Sequence, residues 1–341
     1  MAMSEAELKE IIKTGGANLY LLYGAEGYLV EQYARLVTRY TVEEGFDAFN
    51  LQRFDGQEVT LEQLEEAVEA LPLMTARKCV LVRDYDAASG DTERFLRLVG
   101  QVPDSCVLVF WQMTVQPDSR KRGWKDFLEI AQKSGVVMNF ERKTVTDIAK
   151  MLVSGAKRRG TRLDMEDARY LVEQVGNDLN LLLCELDKLC ALGGEQITRG
   201  HIDTACAKNL EARVFDLSKA ILRRRPGDAY DLLQQLKVQR QEPVTVLGAL
   251  STAYADLYRA KVAAAAGVPS TALLGDFKSY KNKEFRLRNA ARDVSRLGVP
   301  LLRDSLDILA QTDTALKMSS GMEWVLLEQA VTRLIARVQE G

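Results

Sequence analysis

The octapeptide Gly24-Ala25-Glu26-Gly27-Tyr28-Leu29-Val30-Glu31 follows an apolar run, Leu19 to Tyr23, and opens a helical pattern. A phosphate-binding loop of a P-loop ATPase would stand there. Such a loop, GxxxxGK followed by Ser or Thr, cradles phosphates with glycine-rich amides, reaches the β- and γ-phosphates with Lys and holds magnesium through a hydroxyl. Here Leu29, Val30 and Glu31 occupy the Gly, Lys and Ser/Thr positions. Two aliphatic side chains cannot replace a cation, and the carboxylate would repel a polyphosphate. Gly24, Glu26, Gly27 and Leu29 therefore mark a degenerate nucleotide loop. No strand is expected to end in the acidic pair that holds magnesium, since the run Cys106 to Trp111 is followed by Gln112 and Met113. Neither intrinsic catalysis nor a cofactor is expected.

Other chemistry-bearing residues give weaker patterns. Glu185 and Lys188 stand three apart on a helix capped by Asn177 and Asp178, a spacing that suits a solvated surface pair, and no third group of a catalytic set accompanies them. His201 is the single histidine, read as a surface residue at a helix start, which excludes a metal site built from several histidines. The cysteines Cys79, Cys106, Cys184, Cys190 and Cys206 are odd in number, widely spaced and free of CxxC pairs, so they read as reduced packing residues. Lys278, Lys281, Lys283, Arg286, Arg288, Arg292 and Arg296 crowd a segment opposed by Asp276, Glu284 and Asp293. This is the candidate DNA contact. Tyr280 and Phe285 interleave with the charges, which permits base stacking and equally fits a core aromatic on an amphipathic helix.

The elements that must position these residues change character near residue 140. The runs Leu19 to Tyr23, Cys79 to Val82, Cys106 to Trp111 and Val136 to Asn139 are continuously apolar, as strands covered on both faces of a parallel sheet are, with helical patterns between them. From Val145 onward only helical periods are read, for example Leu179, Leu182, Leu186 and Leu189, interrupted at Gly193-Gly194 and Gly267-Val268-Pro269. Leu61, Leu64, Val68 and Leu71 follow a helical stripe facing its own core, and Pro72 ends that helix. Leu73 and Met74 come just after the break and are free to project as an apolar plug.

With 341 residues the chain favours two or three domains. No apolar run reaches the roughly 18 residues of a membrane span. The opening MAMSEAELKEIIKTGG lacks the basic start and apolar stretch of a secretory signal, so the expected location is the cytoplasm. The net charge of −2 hides an asymmetry: residues 1–209 carry 26 basic and 33 acidic side chains, and residues 210–341 carry 20 and 15. That balance is compatible with a C-terminal part lying near phosphate.

The stretch LYLLYGAEGYLVEQ resembles the opening of the delta subunits of the bacterial DNA polymerase III clamp loader. Further pieces agree in order and spacing: Leu71-Pro72-Leu73-Met74 with Arg77 and CVLV, Gly176-Asn177-Asp178-Leu179, and Glu185-Leu186-Asp187-Lys188-Leu189. Val214-Phe215-Asp216-Leu217 with Ala220-Ile221, and Asp313 to Lys317, match the family's third domain. The resemblance spans about 330 residues and implies a three-domain protein. Residues 1–140 would form a degenerate AAA+-like α/β domain, 141–209 a small three-helix domain, and 210–341 an all-α collar. The implied role is binding and opening the sliding clamp (the beta subunit) for loading onto primed DNA, while other subunits of a hetero-pentameric ring hydrolyse ATP. The implied clamp contact is Leu71, Leu73 and Met74. Met74 stands where the family usually has phenylalanine, and a flexible thioether can fill a pocket made for a ring. The turn Met318-Ser319-Ser320-Gly321 corresponds to one that approaches the primer-template junction, with serine where some members carry an aromatic. The alternatives are an active ATPase motor of the same superfamily and a free-standing DNA-binding adaptor.

Overall fold

The computed structural model describes residues 3–192, 194–269, 272–277, 280, 284–294, 297–318 and 321–340. Lys278, Lys281, Lys283, Arg296, Ser319, Ser320, Gly193 and the side chain of Phe285 lie outside the described residues. The chain forms two compact units, Met1–Lys143 and Thr144–Gly341.

The first unit alternates helices and strands: α1 (Glu5–Thr14), β1 (Leu19–Tyr23), α2 (Gly27–Thr41), α3 (Asp47–Asn50), β2 (Leu51–Asp55), α4 (Leu61–Glu69), β3 (Lys78–Arg83), α5 (Thr92–Gly100), β4 (Cys106–Trp111), α6 (Arg122–Ser134) and β5 (Val136–Asn139). The strands make one parallel sheet in the order β2-β3-β4-β1-β5, with Leu19 opposite Leu108 and Tyr20 opposite Val136. Successive strand residues point to opposite faces, so both must be apolar when helices cover both. Leu19, Leu21, Val80, Val82, Leu108 and Phe110 pack with Leu64, Val68, Phe95, Trp124 and Phe127 of α4, α5 and α6. The opposite face is covered by α2, whose Leu29, Val30, Tyr33 and Val37 are buried. This parallel α/β layer is the architecture expected from the continuous strand runs.

β2 was not among the expected strands. It lies at the sheet edge, pairs only with β3, and keeps Gln52, Arg53 and Asp55 exposed. Its one-sided burial and charged residues, typical of an edge strand, hide it from a search for apolar runs.

The second unit begins with α7 (Val145–Arg158), β6 (Arg162–Leu163), α8 (Met165–Val175), α9 (Leu179–Ala191), β7 (Gln196–Ile197) and α10 (Arg199–Ala205). Two corrections arise here: β6 and β7 form a short parallel ladder where only helices were expected, and the stretch holds a fourth, seven-residue helix, α10. Two-residue strands carry no readable period. The helices α11 (Leu210–Leu222), α12 (Pro226–Val238), α13 (Pro243–Ala265), α14 (Leu273–Asp276), α15 (Glu284–Asp293), α16 (Val299–Met318) and α17 (Glu323–Glu340) follow. All of these except the short α14 contribute to a core that includes Leu217, Leu233, Leu250, Tyr254, Ala290, Leu302, Leu309, Leu327 and Leu334. Among the described residues no helix is long and apolar enough to cross a membrane.

Phe127 joins α6 to α5 and to the sheet through edge-on contacts with Phe95 and Phe110, each at a centroid distance of 5.1 Å. Replacing Phe127 with Ala should destabilise the first unit by about 3–5 kcal/mol through lost burial and the cavity left behind. Urea unfolding of the full chain, followed by tryptophan fluorescence, should show the corresponding transition at lower denaturant.

Candidate functional site

Parallel strands bring their ends to two opposite rims of the sheet. At the carboxyl rim, Gly24 follows β1 with φ of 135°, a conformation suited to glycine. A Cβ there would lie 2.3 Å from the carbonyl oxygen of Phe140, just beyond β5. The same carbonyl accepts the Glu26 N–H at 2.9 Å, and the Phe140 N–H donates to the Tyr23 carbonyl at 2.7 Å. A loop amide that would otherwise face a phosphate is thus tied to the chain's own backbone. Leu29 and Val30 point into the core, Glu31 pairs along its helix with Arg35 at 2.5 Å, and the Met113 side chain lies against Gly27.

A buried acid stands at this rim. Asp84 follows β3, is buried and has φ of 54°. Its Oδ1 accepts N–H groups from Met113, Thr114 and Val115 at 2.6, 2.7 and 3.1 Å. Burial pushes its carboxyl upward, and the backbone donors outweigh that effect and hold it below the usual carboxylate range. Asp84 thereby fixes the turn after β4 through its acceptor oxygen. Its sequence signal is the run Arg83-Asp84-Tyr85-Asp86 at a strand end.

The amino rim carries the apolar loop. Thr60 and Gln63 form a capping box that starts α4, and the helix stops at Glu69, two residues before the end of the stripe at Leu71. Leu64 and Val68 are buried, whereas Leu71 is 84% exposed and so leaves the core-facing stripe to which it was assigned. Ala70 has already turned to ψ of 139°, which swings Leu71 outward ahead of Pro72. Leu73 is 47% and Met74 83% exposed, so these two also stay outside the core.

Several polar groups fasten this loop. The buried ammonium of Lys78 donates to the Ala67 carbonyl near the end of α4, and burial lowers its pKa. Arg77 donates to the carbonyls of Gly15 and Asp104 at 3.1 Å each and to the Asn18 side chain. Thr75 donates to the Arg77 carbonyl at 3.0 Å. Asn50, at the end of α3, exchanges hydrogen bonds with both backbone groups of Leu73: Oδ1 accepts the N–H at 2.7 Å and Nδ2 donates to the carbonyl at 2.9 Å. Sequence reasoning missed Asn50 and Lys78, whose roles depend on strand adjacency rather than on any local motif.

The basic segment is divided by the fold. Arg286 donates through Nε and Nη2 to Asp256 Oδ2 at 2.9 and 2.6 Å, and the Tyr280 hydroxyl donates to Asp256 Oδ1 at 2.7 Å. Tyr280 and Asp256 are buried, so Arg286 is a structural partner rather than a free phosphate contact, and Tyr280 offers no ring for stacking. Arg288 and Arg292 remain exposed. Arg286 and Arg288 line a cavity of about 710 Å³ shared with Tyr170, Glu173, Lys219 and Asp256. Burial pushes the Glu173 carboxyl up against the opposing pull of Arg288, Arg199 and Arg292.

The remaining candidates are structural. Asp178 caps α9 by accepting the Leu181 N–H at 3.0 Å. Glu185 meets Lys188 at 2.6 Å but is buried, not solvated as its spacing suggested, because α9 also packs toward α10. Burial first, and Glu185 second, push the Cys206 thiol up to about 12. His201 is exposed and its Nδ1 accepts the Thr198 N–H at 3.3 Å, completing the start of α10.

Two family models match the chain: "DNA polymerase III, delta subunit" over residues 20–141, and "DNA polymerase III delta subunit, C-terminal domain" over residues 211–334. DNA polymerase III subunit delta of Bacillus subtilis (strain 168) is 24% identical over 330 residues, covering 94% of this chain and 93% of the relative. Its counterpart in Escherichia coli (strain K12) is 22% identical over 326 residues, with the same coverage of 94% and 93%. The solved structure of the Bacillus subtilis DNA clamp loader delta protein superposes with a TM-score of 0.58 at 22% identity, covering 97% of this chain and 99% of that one.

The filled carboxyl rim predicts no useful affinity for ATP. Calorimetric titration of the full chain with ATP and magnesium should give no binding heat up to millimolar nucleotide. Micromolar binding abolished by changing Glu26 or Glu31 would contradict this.

Proposed function

Because this chain belongs to the DNA polymerase III delta-subunit family and is a clamp-loader subunit, we propose that it binds and opens a ring-shaped sliding clamp without hydrolysing ATP itself. The observation that carries this reading is the exposed trio Leu71, Leu73 and Met74, held on an anchored loop. Exposed apolar groups clustered on a fixed surface favour a partner that buries them. A binder opens a ring only to the extent that it binds the open form better than the closed one. A preformed loop helps, because little of its binding free energy is lost to ordering.

The degenerate loop at Gly24, Glu26, Gly27 and Leu29 supports a division of labour in which other subunits supply ATP hydrolysis. The competing reading of an active motor is disfavoured by the buried Leu29 and Val30, which cannot reach a polyphosphate. A free-standing DNA adaptor is disfavoured by Arg286, whose charge is met by Asp256. Contact with primed DNA remains part of the proposal through the exposed Arg288 and Arg292, with Lys278, Lys281 and Lys283 as further candidates. The proposed setting is the cytoplasm, within the hetero-pentameric loader.

We further propose the three-domain division: 1–140, 141–209 and 210–341. Its support in the last part is the helical core from Val214 to Val338. Residues 210–341 should therefore co-purify with the other loader subunits in the absence of residues 1–140. If only the full chain joined the ring, the collar boundary would be wrong.

Replacing both Leu73 and Met74 with Ala should weaken clamp binding by about 2–5 kcal/mol, some thirtyfold to several thousandfold in Kd. Surface plasmon resonance on immobilised clamp from the same organism measures this. Melting should be unchanged, since both side chains are outside the core. Affinity within threefold of wild type, in a folded variant, would place the clamp contact elsewhere.

A further inference from the structure

Asn50 is 1% exposed, so it cannot itself touch a partner. It ends α3 immediately before β2, and Leu51 of β2 pairs with Cys79 of β3. Its side-chain amide is therefore fixed to the ladder at the amino rim. A primary amide carries both a donor and an acceptor, as a peptide unit does. Asn50 uses both on one residue, accepting the Leu73 N–H at 2.7 Å and donating to the Leu73 carbonyl at 2.9 Å. Nδ2 also donates to Thr75 Oγ1 at 2.9 Å.

These bonds grip residues 73 and 75 and leave Met74 between them. Met74 has φ of 58°, in the left-handed region that a side chain with a Cβ disfavours. A residue persists there when its surroundings over-determine it. Without the two flanking grips, Met74 would relax to negative φ, and its side chain would swing away from its present direction beside Leu73. The buried amide thus sets the relative aim of the two exposed side chains.

We propose that Asn50 is a positioning residue for clamp engagement: its buried amide holds residues 73–75 in the binding conformation before the clamp arrives. This rests on the reading of Leu73 and Met74 as the contact. It adds that affinity depends on a residue outside the contact surface, through pre-organisation.

The test uses the full chain with the clamp on a sensor surface, and native-state hydrogen exchange at the Leu73 amide. Asn50→Leu removes every bond while keeping the branched shape of the side chain and should weaken binding about tenfold to hundredfold by letting the loop disorder. It should also expose the Leu73 amide to exchange. Asn50→Asp keeps the acceptor for the Leu73 N–H and should fall between wild type and Asn50→Leu. In a Leu73→Ala/Met74→Ala background, adding Asn50→Leu should change affinity less than twofold, because the groups being aimed are gone. A purely structural role would give the same loss in both backgrounds and would overturn the proposal. So would normal affinity in folded Asn50→Leu whose Leu73 amide has lost protection. Should Asn50→Leu fail to fold, Thr75→Val, which leaves the buried amide in place, should still weaken binding about threefold through the lost grip on residue 75, and unchanged affinity there overturns the proposal. Failure of the underlying contact reading is separate: it appears as wild-type affinity in the double-alanine variant itself.

Discussion

The backbone of β1 lies between β4 and β5, and residues 19–22 are shut away from water on both faces. Buried N–H and C=O groups must be paired, and the parallel neighbours pair them along the strand. That requirement keeps the strands aligned and gathers their ends at two rims. At the carboxyl rim the Phe140 carbonyl and the Met113 side chain close the space beside the Gly24 turn with the protein's own groups, and Asp84 holds the Met113 amide. At the amino rim Arg77 reaches the segments before β1 and β4, and Asn50 sits just ahead of β2. One sheet therefore supports a closed cleft and a presented loop at opposite ends.

The two rims use polar groups in a similar way. Asp84 gathers three backbone amides after β4, and Asn50 engages both backbone groups of Leu73. In each case a single buried side chain stands in for a missing strand rung. Such a buried group is costly to leave unmade, so it holds its loop firmly. For the proposed clamp contact this has a direct benefit. Apolar side chains on a mobile loop would collapse onto their own surface, whereas the anchored loop leaves 84% of Leu71 and 83% of Met74 in water. Burial of those groups in a partner then supplies free energy that the isolated chain does not recover.

In the second unit, electrostatics serve packing more than they advertise a surface. Asp256 collects Arg286 and the Tyr280 hydroxyl inside the helical core, and Arg259 donates to the same hydroxyl at 3.0 Å while lying over Phe277. Taking one partner from a buried pair is strongly destabilising because the other charge is left uncompensated. The positive balance of residues 210–341 is therefore partly internal, and the proposed DNA contact narrows to cations without such a buried partner.

The amino-acid sequence alone determined the α/β layer, the helical remainder and the degenerate nucleotide loop. Continuous apolar runs have one stable solution when helices cover both faces, and no arrangement of Leu29, Val30 and Glu31 supplies a cation and a hydroxyl. It also placed Leu73 and Met74 beyond a helix break, since Pro72 cannot continue a helix. Tertiary structure decided the rest, because the deciding contacts join residues far apart in the chain. Edge strand β2 needed β3 to be recognisable, Leu71 left its stripe because α4 ends at Glu69, and Glu185 was buried by packing its spacing does not encode. Arg286 could be told from Arg288 only once Asp256, 30 residues earlier, lay beside it. Asn50 carries no local signature at all: 23 residues separate it from Leu73, and only the parallel register of β2 and β3 brings its amide to that backbone.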